Sequence, residues 1–310
     1  MKRLFNVKSK KTDLTGGHIQ EFFMILPLFI GFVVFTIYPI LWALRWVLFD
    51  YSGFGKPFFV GLDNFARVFF RDKEFWRSMV NTFYLAFMKL IIELPLALML
   101  AYFVNNKVKG SSILRIIYFL PTIFSIAVVG LIFTILFSAY NGIVNSVMAA
   151  IGFFKQNYNF FGSRWSALNI VLLVSIWSTF GINMIYFLMG MQNIPRELYE
   201  CATLDGASAP SQFFRITVPL LAPVMQIIIM LSVLGTMRIT DVVIIMTNGQ
   251  PGGTTEVAMT HILKLFFNFG AGSVRRQIGY GSAEAIVMGV ILAVITLIYL
   301  KKSERMKNID

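Results

Sequence analysis

Few residues in this chain are placed to do chemistry, and most of them lie inside long apolar runs. Lys89 and Glu93 stand four apart in one run, Arg238 and Asp241 three apart toward the end of another, and Glu284 near the start of a third. A charge inside a bilayer is costly and normally faces protein or water, so each is half of a pair or part of a polar pathway. Spacings of three and four put two side chains on one helix face. Lys89 is therefore expected to pair with Glu93, favoured over a place on a pathway, and Arg238 can likewise pair with Asp241. Asn81 and Asn183 add uncharged polar groups inside spans. These six, Asn81, Lys89, Glu93, Asn183, Arg238 and Asp241, are the candidate pathway or gate residues, and Glu284 is read as an interfacial carboxylate. His18 and His261 are far apart in sequence and Cys201 is the single cysteine, so no metal site is assigned. No G-x-x-x-x-G-K-[ST], G-x-S-x-G or H-E-x-x-H motif occurs. No residue is assigned as catalytic, ATP hydrolysis by this chain is not expected, and a membrane-bound enzyme is disfavoured.

The elements that must position these residues are membrane spans. The 310 residues are 57% hydrophobic and 14% charged, with a mean hydropathy of +0.73. A soluble domain carries about 25% charged residues, so a cytosolic globule is excluded. The net charge of +12 would point to nucleic acid in a soluble protein. Here the basic residues sit between apolar runs, which suits loops beside anionic lipid, and no nucleic-acid partner is expected. Six spans follow from the charge-poor runs: residues 22–44, 79–104, 114–138, 165–189, 218–246 and 279–300, with an external re-entry segment at 140–154. Pro27 and Pro39 should kink the first. The expected fold is all-α, a polytopic membrane protein with six transmembrane helices. Lys and Arg are denser in the short segments on the side of the termini, which places both termini in the cytoplasm.

One internal loop is unlike a connector. It runs from Pro195 through Arg196-Glu197-Leu198-Tyr199-Glu200-Cys201-Ala202-Thr203-Leu204-Asp205-Gly206 to Ile216-Thr217-Val218-Pro219. Pro195 suits a helix start, Leu198, Cys201 and Ala202 share a face, and Gly206 suits the stop. A second short amphipathic stretch, 211–217, leads into the fifth span. Glu200-Cys201-Ala202, then Gly206, then nine residues, then Ile216-x-x-Pro219 resembles the E-A-A-x-x-x-G…I-x-L-P motif of binding-protein-dependent ABC importers. Cys201 for Ala and Val218 for Leu are conservative departures. The resemblance is closest to the carbohydrate-uptake, maltose- and glycerol-phosphate-type permeases. It extends through Gly61-Leu62-Asp63-Asn64-Phe65, Phe75-Trp76, Leu120-Pro121 and 240–255, with departures at Gln250 and Glu284.

The resemblance implies a type I ABC importer permease (MetI-like) fold and a subunit that moves a sugar, oligosaccharide or sugar derivative. Glu200, Cys201, Ala202, Asp205, Gly206, Ile216 and Pro219 would then couple it to separate ATPase chains. Implied partners are a second homologous permease in a heterodimer, an ABC ATPase dimer and an extracytoplasmic solute-binding protein, in the cell membrane and its lipid. This chain would bind no cofactor, ATP and Mg being held by the ATPase. The implied organisation is a cytoplasmic tail (1–21), a first transmembrane helix (22–49), an extracytoplasmic loop (50–76), a core (77–300) with the coupling loop 191–217, and a cytoplasmic tail (301–310). The alternative is an ion-gradient-driven secondary transporter, for which Lys89 and Glu93 are the candidate ionisable groups.

Overall fold

The computed structural model describes residues 14–105, 110–153, 157–267 and 276–307. The basic residues before 14, Lys107, Lys109, Lys155, Arg275 and the last three positions lie outside the described residues, as does the side chain of His18. In chain order, α1 (Leu14–Phe32), a π-helical turn (Val33–Ile37) and α2 (Tyr38–Trp46) form one continuous rod. β1 (Phe49–Asp50) pairs antiparallel with β2 (Phe58–Phe59), Phe49 opposite Phe59. Then come α3 (Asp63–Phe70), α4 (Lys73–Asn105), α5 (Ser111–Ile123), α6 (Ile126–Leu136), α7 (Ile143–Ala150) and α8 (Arg164–Gln192). The chain continues through α9 (Arg196–Leu204), α10 (Ala209–Gln212), a second π turn (Phe213–Thr217), α11 (Val218–Leu220) and α12 (Ala222–Met237). It closes with α13 (Asp241–Met246), α14 (Ala258–Phe267) and α15 (Ile278–Lys307).

Four helices among the described residues are long and apolar enough to cross a membrane, and six crossings result when two bent pairs count as one each. The expected third span is one such pair: α5 and α6 meet at 93°. Pro121 withholds an N–H from the last turn of α5, and Phe124 and Ser125 then run extended. The expected fifth span is also broken. The amphipathic stretch through α11 meets α12 at 66°, so 218–246 is not one helix and its long straight part is α12, 222–237. Hydropathy reports neither break, because one or two residues leaving the helix inside an apolar run do not change the average. Residues 143–150 of the expected re-entry segment form α7, held by Asn145, whose amide donates to Ser138 O and Tyr158 O. Helix also extends past the expected ends of the first and last spans, from Leu14 and to Lys307.

Both π turns have one sequence cause. Pro39 and Pro219 have no N–H for the carbonyls of Phe35 and Arg215, four residues back, and each of those carbonyls lies inside a π turn. Each turn is closed by an i→i−5 bond, Tyr38 N–H to Val33 O and Val218 N–H to Phe213 O.

α4 and α8 are the centre of the bundle. One apolar cluster lies where α4 meets α14 and α15 (Phe75, Met79, Ile262, Tyr280), and a second where α4 and α8 meet α13 (Leu85, Leu168, Val171, Val243). A third joins α4, α8 and α12 near α9 (Ala101, Met184, Phe187, Ile228). Gly181 sets the closest approach of α5 to α8: a Cβ there would lie 2.1 Å from Tyr118 O. By contrast, none of the apolar rod 21–46 is buried within the chain, so its surface faces lipid or another subunit.

Candidate functional site: a projecting loop helix and a polar cavity

α9 forms where the sequence places it. Pro195 caps its start with extended backbone, and the end is a Schellman closure: Ala207 N–H reaches Ala202 O at 2.8 Å and Gly206 N–H reaches Thr203 O at 3.0 Å. That closure needs the left-handed backbone of Gly206, φ +79°. Asp205 is the last residue before the reversal. No residue of α9 is buried; Glu200 and Cys201 are exposed, and Leu204 is 89% exposed. An amphipathic helix that leaves Leu198 and Leu204 uncovered by its own chain is built to be covered by another. Its base is nonetheless fixed: Tyr199 and Thr217 hydroxyls lie 2.8 Å apart, and the Gln212 amide donates to Thr203 Oγ1 and Ala207 O. Ile216, in the second π turn, is half-buried, and Pro219 lies exposed in α11 at the elbow leading to α12.

A cavity of about 530 Å³ opens between α4, α8, α12 and α13. Of the six pathway candidates, Lys89, Asn183, Arg238 and Asp241 line it. Lys89 Nζ stands 3.6 Å from Glu93 Oε2, the pairing that a four-residue spacing predicts. Glu93 is fully buried behind this wall, and its Oε1 accepts from Thr179 Oγ1 and Asn183 Nδ2, each at 2.7 Å.

Arg238 and Asp241 both face the cavity, yet no ion pair joins them among the described residues. The expectation of pairing assumed one continuous helix. Arg238 instead caps the end of α12, and Thr240 (φ −142°) breaks the chain before Asp241 opens α13, so the two share no helix face. Asp241 sits in the first turn of α13, where a carboxylate is favoured by the helix dipole. Asn81 lies elsewhere. It is fully buried, donates to Thr254 O (2.8 Å) and Glu256 O (2.6 Å), and accepts from Arg164 at 2.8 Å, clasping α4 to the 254–256 loop and to the start of α8.

The remaining polar lining was missed from sequence: Ser175, Ser178, Thr179, Tyr186, Ser232, Thr236 and Thr240. Its signal was present, since 175, 178/179, 183 and 186 recur at helical spacing along α8, and 232 and 236 along α12. Ser178 and Thr236 donate to the carbonyls four residues back. Their lone pairs remain as acceptors beside the Lys89 and Asn183 donors. The cavity can thus hydrogen-bond a neutral polyhydroxylated molecule.

A second polar cluster lies at the β1–β2 end, and it corrects two expectations. Glu284 is fully buried in α15 rather than interfacial, and His261 is not solitary. The His261 ring reaches Glu256 Oε2 through Nδ1 (3.2 Å) and Glu284 Oε1 through Nε2 (3.4 Å), with Asp72 Oδ2 4.0 Å from Nε2. Burial alone would lower the imidazole pKa, but hydrogen bonding and charge from Glu256 and Glu284 raise it to about 10. Burial likewise pushes the Glu256 carboxyl up, and contacts from His261 and Lys264 outweigh this and hold it below the usual range.

Comparison with known proteins agrees with this architecture. The family model described as binding-protein-dependent transport system inner membrane component matches residues 93–307. The arabinooligosaccharides transport system permease protein AraP of Bacillus subtilis is 33% identical over 287 residues, 91% of this chain and 88% of its own length. The trehalose/maltose transport system permease protein MalF of Thermococcus litoralis is 32% identical over 283 residues, covering 90% and 92%. Among solved structures, a bacterial ABC transporter involved in the import of the acidic polysaccharide alginate superposes with a TM-score of 0.80 at 25% identity, over 94% of this chain and 98% of that one.

Proposed function

The chain belongs to the binding-protein-dependent transport system inner membrane components, membrane-embedded permeases, and from that premise we propose that it is one permease subunit of an ATP-driven ABC importer for a sugar or oligosaccharide. The carbohydrate-transport names of the similar permeases support the cargo class, as does the cavity, where serine and threonine hydroxyls and the Asn183 amide stand beside Lys89, Arg238 and Asp241. The subunit pairs with a second, homologous permease in the cell membrane, receives cargo from an extracytoplasmic solute-binding protein, and keeps both termini in the cytoplasm. ATP and Mg2+ belong to a partner ATPase dimer, against which α9 docks. The 22–46 rod, unburied within the chain, offers apolar surface for the second permease.

The observation that carries this reading is α9: fixed at its base, closed by Gly206 and with none of its residues buried within the chain. Docked in an ATPase cleft, a rigid helix transmits closure of the nucleotide sites to α8 and α12, which flank both it and the cavity. Coupling is tested by reconstituting the complex in proteoliposomes and measuring ATP-dependent uptake of labelled oligosaccharide. Glu200→Arg should reduce uptake at least tenfold while leaving the chain inserted at normal levels. Uptake that persists without ATP and collapses with an ion gradient would overturn the reading.

A further inference from the structure

We propose that Asp72, His261 and Glu284 form a site for one divalent transition-metal cation, which staples the start of α4 to α14 and α15. The three residues are far apart in sequence, and the fold brings one ligand atom from each within 4.8 Å of the others. Metal–nitrogen and metal–oxygen bonds of about 2.1 Å place neighbouring ligands roughly 3–3.5 Å apart. His261 Nε2 already lies 3.4 Å from Glu284 Oε1 and 4.0 Å from Asp72 Oδ2. Side-chain adjustments of up to about an ångström would complete the arrangement.

A second, independent observation is the unmet demand of Glu284. Its side chain is fully buried and aimed at His261, and apart from the 3.4 Å approach of Nε2 to Oε1 neither carboxylate oxygen has a hydrogen-bond donor. A buried carboxylate without donors is costly unless a cation faces it.

The surroundings resemble the outer shell of metal centres. Glu256 Oε2 holds His261 Nδ1 at 3.2 Å, which turns Nε2 toward the two carboxylates, and Lys264 neutralises Glu256 at 2.5 Å. Asp72 Oδ2 accepts from the Tyr280 hydroxyl at 2.6 Å, and Asp72 Oδ1 from Phe75 N–H at 2.8 Å, so this ligand is oriented as well. Metal binding would displace the Nε2 proton of His261, leaving two carboxylates and a neutral imidazole of charge −2, matching a divalent ion. The imidazole favours Zn2+, Co2+ or Ni2+ over Ca2+, Mg2+ or Mn2+.

The test uses the tag-free full chain in detergent, stripped with EDTA and titrated with Co2+. We expect about one equivalent bound, visible d–d absorption bands, and their displacement by Zn2+. Glu284→Gln and His261→Gln should each weaken Co2+ binding more than tenfold. Glu256→Gln, which leaves all three ligands, should weaken it about tenfold. Zn2+ should raise the melting temperature of the stripped wild type but not of Glu284→Gln. The wild-type titration needs no variant to fold. No d–d bands and no Zn2+-dependent shift in the wild type would overturn the proposal, as would equal binding by His261→Gln; a protonated His261 held between carboxylates would then account for the cluster.

Discussion

The Asn183 amide donates to Glu93 Oε1 at 2.7 Å, joining α4 to α8 across 90 residues of sequence at the wall of the cavity. The other carboxylate oxygen faces Lys89 at 3.6 Å. The cavity therefore meets the lysine and the asparagine directly, while the carboxylate stays behind them as their common anchor.

Removing that anchor strands a buried ammonium. Breaking a buried pair from one side costs about 3–5 kcal/mol, whereas replacing both partners with apolar groups is often close to neutral. Glu93→Ala should lower the melting temperature of the purified chain markedly, and Lys89→Met combined with Glu93→Leu should recover most of the loss. A double variant no more stable than Glu93→Ala would show that the charge pair is not what matters there.

Transport can be blocked without damaging the fold. Gly235 lines the cavity from α12, and a Cβ built on it meets nothing within 4 Å. Gly235→Phe should fold as well as the wild type, because a helix gains about 1 kcal/mol when an interior glycine is replaced by alanine and most other residues also improve on glycine. Its ring would occupy the roughly 530 Å³ space, and uptake should fall at least tenfold with complex assembly unchanged. Wild-type uptake by this variant would move the cargo route elsewhere.

At Gly206 the constraint is backbone, not space. A Cβ there touches nothing, but φ is +79°. Gly206→Ala should therefore be nearly as harmful as Gly206→Trp, each straining the closure by about 1–2 kcal/mol. Gly206→Asn should be the mildest, since asparagine tolerates left-handed backbone. Stimulation of the partner ATPase in proteoliposomes reads the order. Loss confined to the tryptophan variant would instead indicate a steric contact with the partner.

Gly181 is the opposite case. Its helical backbone suits any residue, but a Cβ would lie 2.1 Å from Tyr118 O. Gly181→Ala should destabilise the chain by about 1–3 kcal/mol as α5 is pushed from α8. Thermal unfolding checks this, and an unchanged melting temperature would mean that the two helices separate freely.

The positions of the spans, α9, its stop at Gly206 and the Lys89–Glu93 pair were legible in the chain itself, because each depends on contacts within a few residues: helical spacing, a φ-permissive glycine, a lone apolar run. The 93° break after Ile123, the separation of Arg238 from Asp241, the clasp at Asn81 and the meeting of Asp72, His261 and Glu284 were not. Each of these depends on where a chain turns or on partners as far as 212 positions away (Asp72 to Glu284). Local sequence determined which helices form, since backbone hydrogen bonding and hydropathy act over single turns. Only packing decided which buried charges meet, because burying a carboxylate is tolerable solely beside a partner that the folded bundle supplies.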